Sequence, residues 1–190
     1  MAIKRECLEV VNVLLMVIDG KDHYTLSHSL EVMDFSQLLA RRLKLSVREQ
    51  ETIRLSSFLH DVGKITVLDT ILQKPGTLLA EEFLNMKTHA KEGAKIIGQI
   101  GFFRHCVEPV LCHHERLDGS GYPDGRKAGD IPIAARILAV SDVYSALRAN
   151  RPYRSAFTPE QTRDIMLNMK GTLDPELVDI ILELMPTGYK

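Results

Sequence analysis

The sequence predicts an all-α fold. Apolar residues recur at helical spacing through most of the chain, and no segment shows the apolar–polar alternation of a half-buried strand. Helix-start signals such as Thr158-Pro159 and Asp174-Pro175 support this class. At 190 residues with 45% apolar side chains, the chain is long enough to bury a substantial core. We divide it into an N-terminal helix within residues 1–21 and a single helical domain at 22–190.

The helices follow from stripes of apolar residues and from the signals at their ends. After a first helix that Gly20 ends, Asp22 offers an N-cap for the second, and Gly63 is the expected breaker of the third. Residues 65–79, with the pair Pro75-Gly76, are expected to form an extended connection. The predicted helices cover about 3–18, 22–43, 46–60, 81–100, 103–114 and 133–148, followed by helices that begin at Thr158 and at Asp174.

Charge and composition exclude several functional classes. The formal net charge of −1 provides no basic field that would attract nucleic acid. The longest early apolar stretch, Val10 to Ile18, is too short to cross a bilayer, so no membrane insertion is expected. Three cysteines without metal-finger spacing favour a reducing, cytoplasmic setting. Cys112 precedes two histidines, but a structural thiol is the favoured interpretation.

Polar residues occupy positions where the helical pattern predicts burial. His28 continues the stripe of Val32 and Phe35, and Asp142 lies in a helix that is apolar nearly all round. One such side chain alone is usually a hydrogen-bonded core residue, but several together need a common explanation because buried charges are costly. The set comprises His28, His60, Asp61, His89, His113, His114 and Asp142.

Five imidazoles and two carboxylates are too many ligands for one tetrahedral ion and suit two transition-metal ions that share a bridge. Asp61 is the expected bridge. We assign one ion to His28, His60 and Asp142, and the other to His89, His113 and His114. Two adjacent ions polarise a phosphoryl group and hold a hydroxide for in-line attack, so the pattern indicates phosphate-ester hydrolysis. Mixed N/O sites of this kind accept iron, manganese, cobalt or nickel.

Three cations are candidates for contacts with a substrate phosphate. Lys64 comes four residues after His60, and we expect it to assist catalysis and bind substrate; the alternative is a solvated lysine at a helix end. Arg151 and Arg154 follow the helix of Asp142, and guanidinium groups match phosphate geometry. The loop at 115–132 contains Gly121, Tyr122 and Pro123, and loops of this length are usually functional.

These residues lie in spaced motifs that together resemble the HD-GYP family. The resemblance runs from about Asp22 to the last helix. It rests on Tyr24-Thr25-x-x-His28-Ser29, Leu59-His60-Asp61-Val62-Gly63-Lys64, His113-His114-Glu115-Arg116-x-Asp118-Gly119-x-Gly121-Tyr122-Pro123, Ile131-Pro132 and Arg136-Ile137-Leu138-Ala139-Val140-x-Asp142, with Lys74-Pro75-Gly76, Arg151-Pro152-Tyr153-Arg154 and Asp174-Pro175.

The resemblance implies a phosphodiesterase that degrades cyclic di-GMP with two or three metal ions, often iron or manganese. It implies the ligand set given above, a phosphate-binding role for Lys64 and cyclic-dinucleotide contacts for Arg151 and Arg154. It also implies that the Gly121-Tyr122-Pro123 loop lies at the rim of the active site and contacts protein partners, including diguanylate cyclases.

Two departures from the family pattern refine these expectations. Members with three metals carry a glutamate four residues before the first ligand histidine, and this chain has Tyr24 there. We therefore expect a dinuclear site that gives linear pGpG, with slower cleavage to GMP. Arg148-Ala149-Asn150 differs from the usual threonine or serine and polar pair, which leaves local substrate contacts open. About twenty residues precede Asp22, too few for the sensor domain common in the family, so we expect either a stand-alone enzyme or a catalytic fragment.

Other functions stay open at this point. One is hydrolysis of another cyclic dinucleotide, such as hybrid cyclic GMP-AMP, or of a mononucleotide, which the long glycine-rich loop disfavours. Another is a non-catalytic receptor for cyclic dinucleotides, or a protein-interaction module acting through the 115–132 loop. Degenerate relatives usually lose ligands, and all seven are present here.

Overall fold

The computed structural model describes residues 5–21, 23–150 and 155–185. Within these ranges the all-α prediction is confirmed, since no strand is present and only two isolated β-bridges occur. The helices are α1 (Arg5–Asp19), α2 (His23–Arg42), α3 (Val47–Leu59), α4 (Asp69–Leu72), α5 (Ala80–Gly98), α6 (Val107–Cys112), α7 (Ile133–Arg148), α8 (Pro159–Asn168) and α9 (Pro175–Leu184). Short 3₁₀ segments cover Val62–Thr66, Gly101–Cys106 and Ala128–Asp130.

Two segments differ from the sequence-based expectation. The connection at 65–79 is not extended throughout, because the 3₁₀ segment Val62–Thr66 and the single turn of α4 occupy much of it. The helix expected at 103–114 is a 3₁₀ segment followed by α6. Pro109 explains the second difference: it has no N–H for the carbonyl of residue 105, and its ring would clash with that carbonyl in a continuous α-helix.

The predicted helix starts of α8 and α9 are confirmed. Thr158 Oγ1 accepts a hydrogen bond from Gln161 N at 3.2 Å, and Gln161 Oε1 accepts one from Thr158 N at 2.9 Å. This reciprocal capping box satisfies backbone donors that the first turn leaves unpaired. Asp174 caps α9 by accepting from Glu176 N at 3.1 Å.

The apolar residues form two main clusters. One unites α2, α7, α8 and α9 around side chains such as Phe35, Leu138 and Met166, and the other unites α1, α5 and α6 around Phe103 and Ile97. Helix α3 contributes to both clusters. The chain segment that leaves α3 therefore lies between the two clusters, and it carries His60 and Asp61.

Neither described cysteine is paired. Cys106 and Cys112 are free and buried, and burial raises the pKa of Cys112 to about 11. Cys112 packs against Ile131 and Ala135, which agrees with a structural thiol. None of the helices in the described part of the chain is both long and apolar enough to cross a membrane.

Gly63 allows the segment after His60-Asp61 to lie directly on α5. A Cβ at this position would lie 1.9 Å from His89 O and 2.5 Å from Gly93 N. Backbone atoms cannot move aside like the end of a flexible side chain, so any side chain here would push the segment away from α5. The glycine that was expected to break a helix thus also brings Asp61 close to His89.

We expect Gly63→Ala to destabilise the fold by about 1–3 kcal/mol, the usual cost of overpacking a close contact. For a chain of this size, that corresponds to a melting temperature lowered by roughly 2–12 °C. Gly101→Ala is the control, because a Cβ there would have no atom within 4 Å. Thermal unfolding followed by circular dichroism measures both variants. Equal melting temperatures for Gly63→Ala and the wild type would contradict the proposed close contact.

Candidate metal centre

Five helices direct histidines and aspartates to one place between the two apolar clusters. Two groups have ligand atoms that all lie within 4.8 Å of one another. His28, His60 and Asp142 form the first triad; His89, His113 and His114 form the second. The structure therefore brings together the two sets that the sequence analysis assigned to separate ions. Their role as metal ligands stays a prediction.

The carboxylate of Asp61 lies between the two triads. Its Oδ2 is 3.4 Å from His60 Nε2 in the first triad, and its Oδ1 is 3.5 Å from His89 Nε2 in the second. Asp61 is only 4% exposed. One oxygen thus faces each triad, which is the arrangement that a bridging carboxylate requires.

Three imidazoles are oriented by backbone carbonyls three residues earlier in the chain. Nδ1 of His60 donates to Ser57 O at 2.7 Å, Nδ1 of His89 to Met86 O at 2.7 Å, and Nδ1 of His113 to Val110 O at 2.6 Å. A proton on Nδ1 leaves Nε2 as the free lone pair. In each case Nε2 is the atom that faces the cluster, as a metal ligand requires.

His28 is held by side chains instead. Its Nδ1 donates to Ser145 Oγ at 2.9 Å, and Ser145 Oγ donates in turn to Glu31 Oε2 at 2.7 Å. Nε2 of His28 lies 3.0 Å from Asp142 Oδ1. The carboxylate of Glu31 thus orients the hydroxyl, and the hydroxyl fixes the imidazole through the nitrogen that does not face Asp142.

Several ionisable groups of the cluster have pKa values shifted toward the forms that bind metals. Burial lowers the pKa of His113 to about 3, and neighbouring imidazoles act in the same direction, so this ring is neutral at pH 7. Burial alone would raise the pKa of Asp61, but the charge of Lys64 and the nearby imidazoles lower it well below its usual value. Burial alone would also raise the pKa of Asp142, but the contact with His28 and the other nearby imidazoles together lower it well below its usual value. Neutral imidazoles and ionised carboxylates are the metal-binding forms.

A buried nitrogen within the cluster has no hydrogen-bond partner among the described residues. His60 is 1% exposed, and its Nε2 forms no hydrogen bond. Buried nitrogen atoms are normally paired, and an unpaired one calls for an explanation. A metal ion is a suitable partner for this lone pair, so the donor set and its geometry fit two transition-metal ions.

Lys64 belongs to the 3₁₀ segment that follows α3 rather than to the helix itself. Its Nζ donates to Asp61 Oδ2 at 2.7 Å. The ammonium is therefore next to the carboxylate between the triads, and its side chain is 18% exposed. The alternative of a solvated lysine at a helix end does not describe this position.

The 115–132 loop lies against the second triad. Gly121 passes so close to residues 114–116 that a Cβ would lie 2.4 Å from Arg116 N. Tyr122 follows Gly121, and the centre of its ring lies 4.7 Å from the centre of the His114 ring, with an angle of 32° between the ring planes. The peptide bond between Tyr122 and Pro123 is cis. The loop thus places Tyr122 at the rim of the cluster.

Glu115 organises this loop, and the sequence analysis did not single it out as a site residue. It is 2% exposed and accepts hydrogen bonds from Asp124 N at 2.8 Å and Arg126 N at 2.9 Å.

The sequence analysis also did not identify Ser145 and Glu31 as residues that orient His28. The only sequence signal for Ser145 was its position three residues after Asp142 in an apolar helix.

Several residues named from the sequence have no described side chain. Arg151 and Arg154 lie outside the described residues, as do Asp22, the expected N-cap of the second helix, and the side chain of Tyr24. Their predicted roles in substrate contacts and in a site with two rather than three ions stay predictions.

Curated relatives with similar sequences are cyclic-dinucleotide phosphodiesterases by name. A 3'3'-cGAMP-specific phosphodiesterase (number 2) of Vibrio cholerae is 37% identical over 178 residues, which cover 92% of this chain and 34% of the relative. The cyclic di-GMP phosphodiesterase response regulator RpfG of Xanthomonas campestris is 38% identical over 92% of this chain and 47% of its own length. A cyclic di-GMP phosphodiesterase of Thermotoga maritima is 37% identical over 93% of this chain and 49% of its own. The chain thus spans between a third and a half of the length of these relatives.

Solved structures share the fold at low sequence identity. The HD domain of the phosphodiesterase PgpH from L. monocytogenes, in complex with cyclic di-AMP, matches 90% of this chain and 92% of its own length with a TM-score of 0.66 and 19% identity. An HDG"Y"P protein from Bdellovibrio bacteriovorus matches 84% of this chain and 52% of its own, again with a TM-score of 0.66.

The family model described as HD domain matches residues 12–177. This range includes all seven clustered histidines and aspartates, the lysine beside Asp61 and the loop around Tyr122. The match shows that this chain belongs to the HD domain family, and the motifs that resemble the HD-GYP group lie within the matched range.

Proposed function

We propose that this chain is a metal-dependent phosphodiesterase that hydrolyses cyclic di-GMP to linear pGpG at a dinuclear centre. The observation that carries the proposal is the position of Asp61, with one carboxylate oxygen toward each triad. The relatives named as cyclic-dinucleotide phosphodiesterases support the substrate class.

In this proposal the two triads and Asp61 would hold two divalent ions, with iron or manganese as the proposed metals. When bound, such ions act as Lewis acids on the phosphodiester and supply the nucleophile for in-line attack at phosphorus. The chain itself fixes the ligands: backbone carbonyls orient three imidazoles, and Ser145 orients a fourth. Cobalt and nickel suit the same donors, so the choice of metal depends on supply and redox state.

Lys64 and the two arginines have separate roles in the proposal. The ammonium of Lys64 is within hydrogen-bond distance of Asp61 Oδ2, which supports a role beside the reacting phosphate. There it offsets negative charge that develops during attack. Arg151 and Arg154 are proposed to hold the second phosphate. Diguanylate cyclases or other signalling proteins are proposed partners of the 115–132 loop, and the cytoplasm is the proposed compartment.

A second candidate substrate is supported by the relatives. Three of the similar curated proteins are 3'3'-cGAMP-specific phosphodiesterases of Vibrio cholerae. The hybrid dinucleotide has the same phosphodiester ring with one guanine replaced by adenine, so the metal centre would process it in the same way. Contacts with the bases must decide between the two.

We expect Asp61→Ala to remove bound metal and to lower turnover by more than about 100-fold, because a lost ligand costs more than a lost residue that orients one. Metal content after anaerobic purification and hydrolysis of cyclic di-GMP measure the two effects. Asp164→Ala, an exposed aspartate on α8, is the control. An Asp61→Ala protein that folds, keeps two ions and hydrolyses the substrate at the wild-type rate would end the proposed mechanism.

Ser145→Ala should weaken metal affinity by about 10- to 100-fold, since it removes the hydroxyl that orients His28. Ser141→Ala is a matched control one turn earlier on α7: its buried hydroxyl has no hydrogen-bond partner among the described residues. Titration of the metal-depleted proteins with Mn²⁺ measures both. Equal Mn²⁺ affinities for the two variants would show that Ser145 does not position a ligand.

Substrate preference is tested by comparing cyclic di-GMP, 3'3'-cGAMP and cyclic GMP with the Mn²⁺- or Fe²⁺-loaded protein. We expect kcat/KM to be highest for cyclic di-GMP, with pGpG as the first product and GMP appearing more slowly. The mononucleotide should react at least about tenfold more slowly, since it lacks the contacts of a second nucleotide. A higher kcat/KM for 3'3'-cGAMP would show that this hybrid, and not cyclic di-GMP, is the preferred substrate. Binding without hydrolysis would instead support a receptor.

A further inference from the structure

A cation lies between two aromatic rings at the edge of the metal-ligand cluster. Lys87 Nζ is 4.8 Å from the centre of the Phe83 ring and 5.1 Å from the centre of the Tyr122 ring. Both distances fall within the range of cation–π contacts. No carboxylate pairs with Lys87 in the described part of the chain, whereas Lys91 and Lys95 on the same helix each have one.

This cation is connected to the proposed active site through a single ring. Tyr122 lies 4.7 Å from His114 and 6.4 Å from His89, both of the second triad. Lys87 itself is half-buried and comes two residues before His89 on α5. A substrate bound at the triads that projects on the side of Tyr122 would pass this ring and approach Lys87.

Phe83 completes the surface one turn earlier on α5. Its side chain is 46% exposed, so part of the ring is open to solvent, and Lys87 Nζ lies over the ring. Exposed aromatic faces stack with nucleic-acid bases, and this contact is tolerant of base identity. The ammonium group of Lys87, which lies beside this ring, can donate hydrogen bonds but cannot accept them.

A donor next to a stacking face distinguishes guanine from adenine. Guanine presents two acceptors, O6 and N7, on one edge, whereas adenine presents N7 beside the N6 amino donor. An ammonium group can donate to both acceptors of guanine, but it would oppose the amino group of adenine. The charge-assisted bond to guanine is also stronger than a neutral one.

We propose that Phe83 and Lys87 form a base subsite that selects guanine, with Phe83 stacking on the base and Lys87 donating to O6 and N7. This inference rests on the proposed function, because it assigns one base of the cyclic dinucleotide to this surface. It adds a specificity-determining residue to the site and gives a physical basis for a preference for guanine over adenine at one of the two base positions.

The test is direct binding of bis-phosphorothioate analogues of cyclic di-GMP and cyclic di-AMP, which hydrolyse slowly, to the Mn²⁺-loaded protein. We expect Lys87→Met to weaken binding of the guanine analogue by about tenfold, the low end of discrimination by a good base contact. Binding of the adenine analogue should change by less than about twofold, and Lys87→Arg should retain the guanine preference because guanidinium is also only a donor. Phe83→Leu should weaken binding of both analogues by a similar factor of about five, because stacking does not depend on the base.

Lys95→Met is the matched control, an exposed lysine two turns further along α5 whose carboxylate partner is Glu92. It should bind both analogues as the wild type does. Metal content of every variant is measured in parallel, and that of the Lys87 and Phe83 variants should match the wild type.

Several results would overturn the inference. Equal weakening of both analogues by Lys87→Met would show a phosphate contact instead of base selection. Loss of metal in this variant would show that Lys87 acts by holding Tyr122 against His114. Failure of the proposed function is distinguishable: wild-type protein that binds the guanine analogue through Lys87 but hydrolyses no cyclic dinucleotide would keep the subsite and reject the phosphodiesterase. If wild-type protein hydrolyses cyclic di-GMP but Lys87→Met binds the guanine analogue as tightly as the wild type, the phosphodiesterase is kept and the subsite is rejected.

Discussion

The buried carboxylate of Asp61 is the interaction on which the rest of this structure depends. An ionised group removed from water is costly unless other groups compensate for the loss of solvation. Here Lys64 compensates on one side, and the two ions proposed to lie between Asp61 and the Nε2 atoms of both triads would supply the rest. Because the two oxygens face different triads, the position of one side chain determines how five helices must meet.

Backbone contacts orient the histidine rings and bring the segments of the site together. Three of the histidines use the carbonyl three residues earlier in the chain, so each ring is oriented by its own helical turn. Gly63 lets the segment after α3 touch the backbone of α5, and Gly121 lets the long loop touch residues 114–116. At both positions a methyl group would separate parts of the site that need to be in contact.

The loop around Tyr122 connects the metal-ligand cluster to the surface of the protein. Glu115 is buried and holds the loop through two backbone N–H groups, which fixes a segment that otherwise contains several glycines. Tyr122 then lies against His114 on one side and near Lys87 on the other. The same segment thus covers one triad and forms part of the surface where a substrate base or a protein partner would bind.

Much of this arrangement follows from the sequence, because helical periodicity reports which face of a helix is buried. His28 was expected to face inward from the stripe of Val32 and Phe35, and it is 4% exposed. The spacing of motifs also indicated the family. Periodicity does not report the path of a chain between helices, so the turns within 65–79 and the 3₁₀ segment before Pro109 were not anticipated.

The sequence by itself determined the all-α class, the caps of the last two helices, and the identity of the polar side chains that a helical interior would have to accommodate. Only the tertiary structure decided that Asp61 directs one oxygen to each triad, that Ser145 and Glu31 orient His28, and that Lys87 lies between Phe83 and Tyr122. Each of these arrangements includes a contact between residues that are far apart in the chain. Local propensity and spacing carry no information about such distances, which are fixed only when the helices pack.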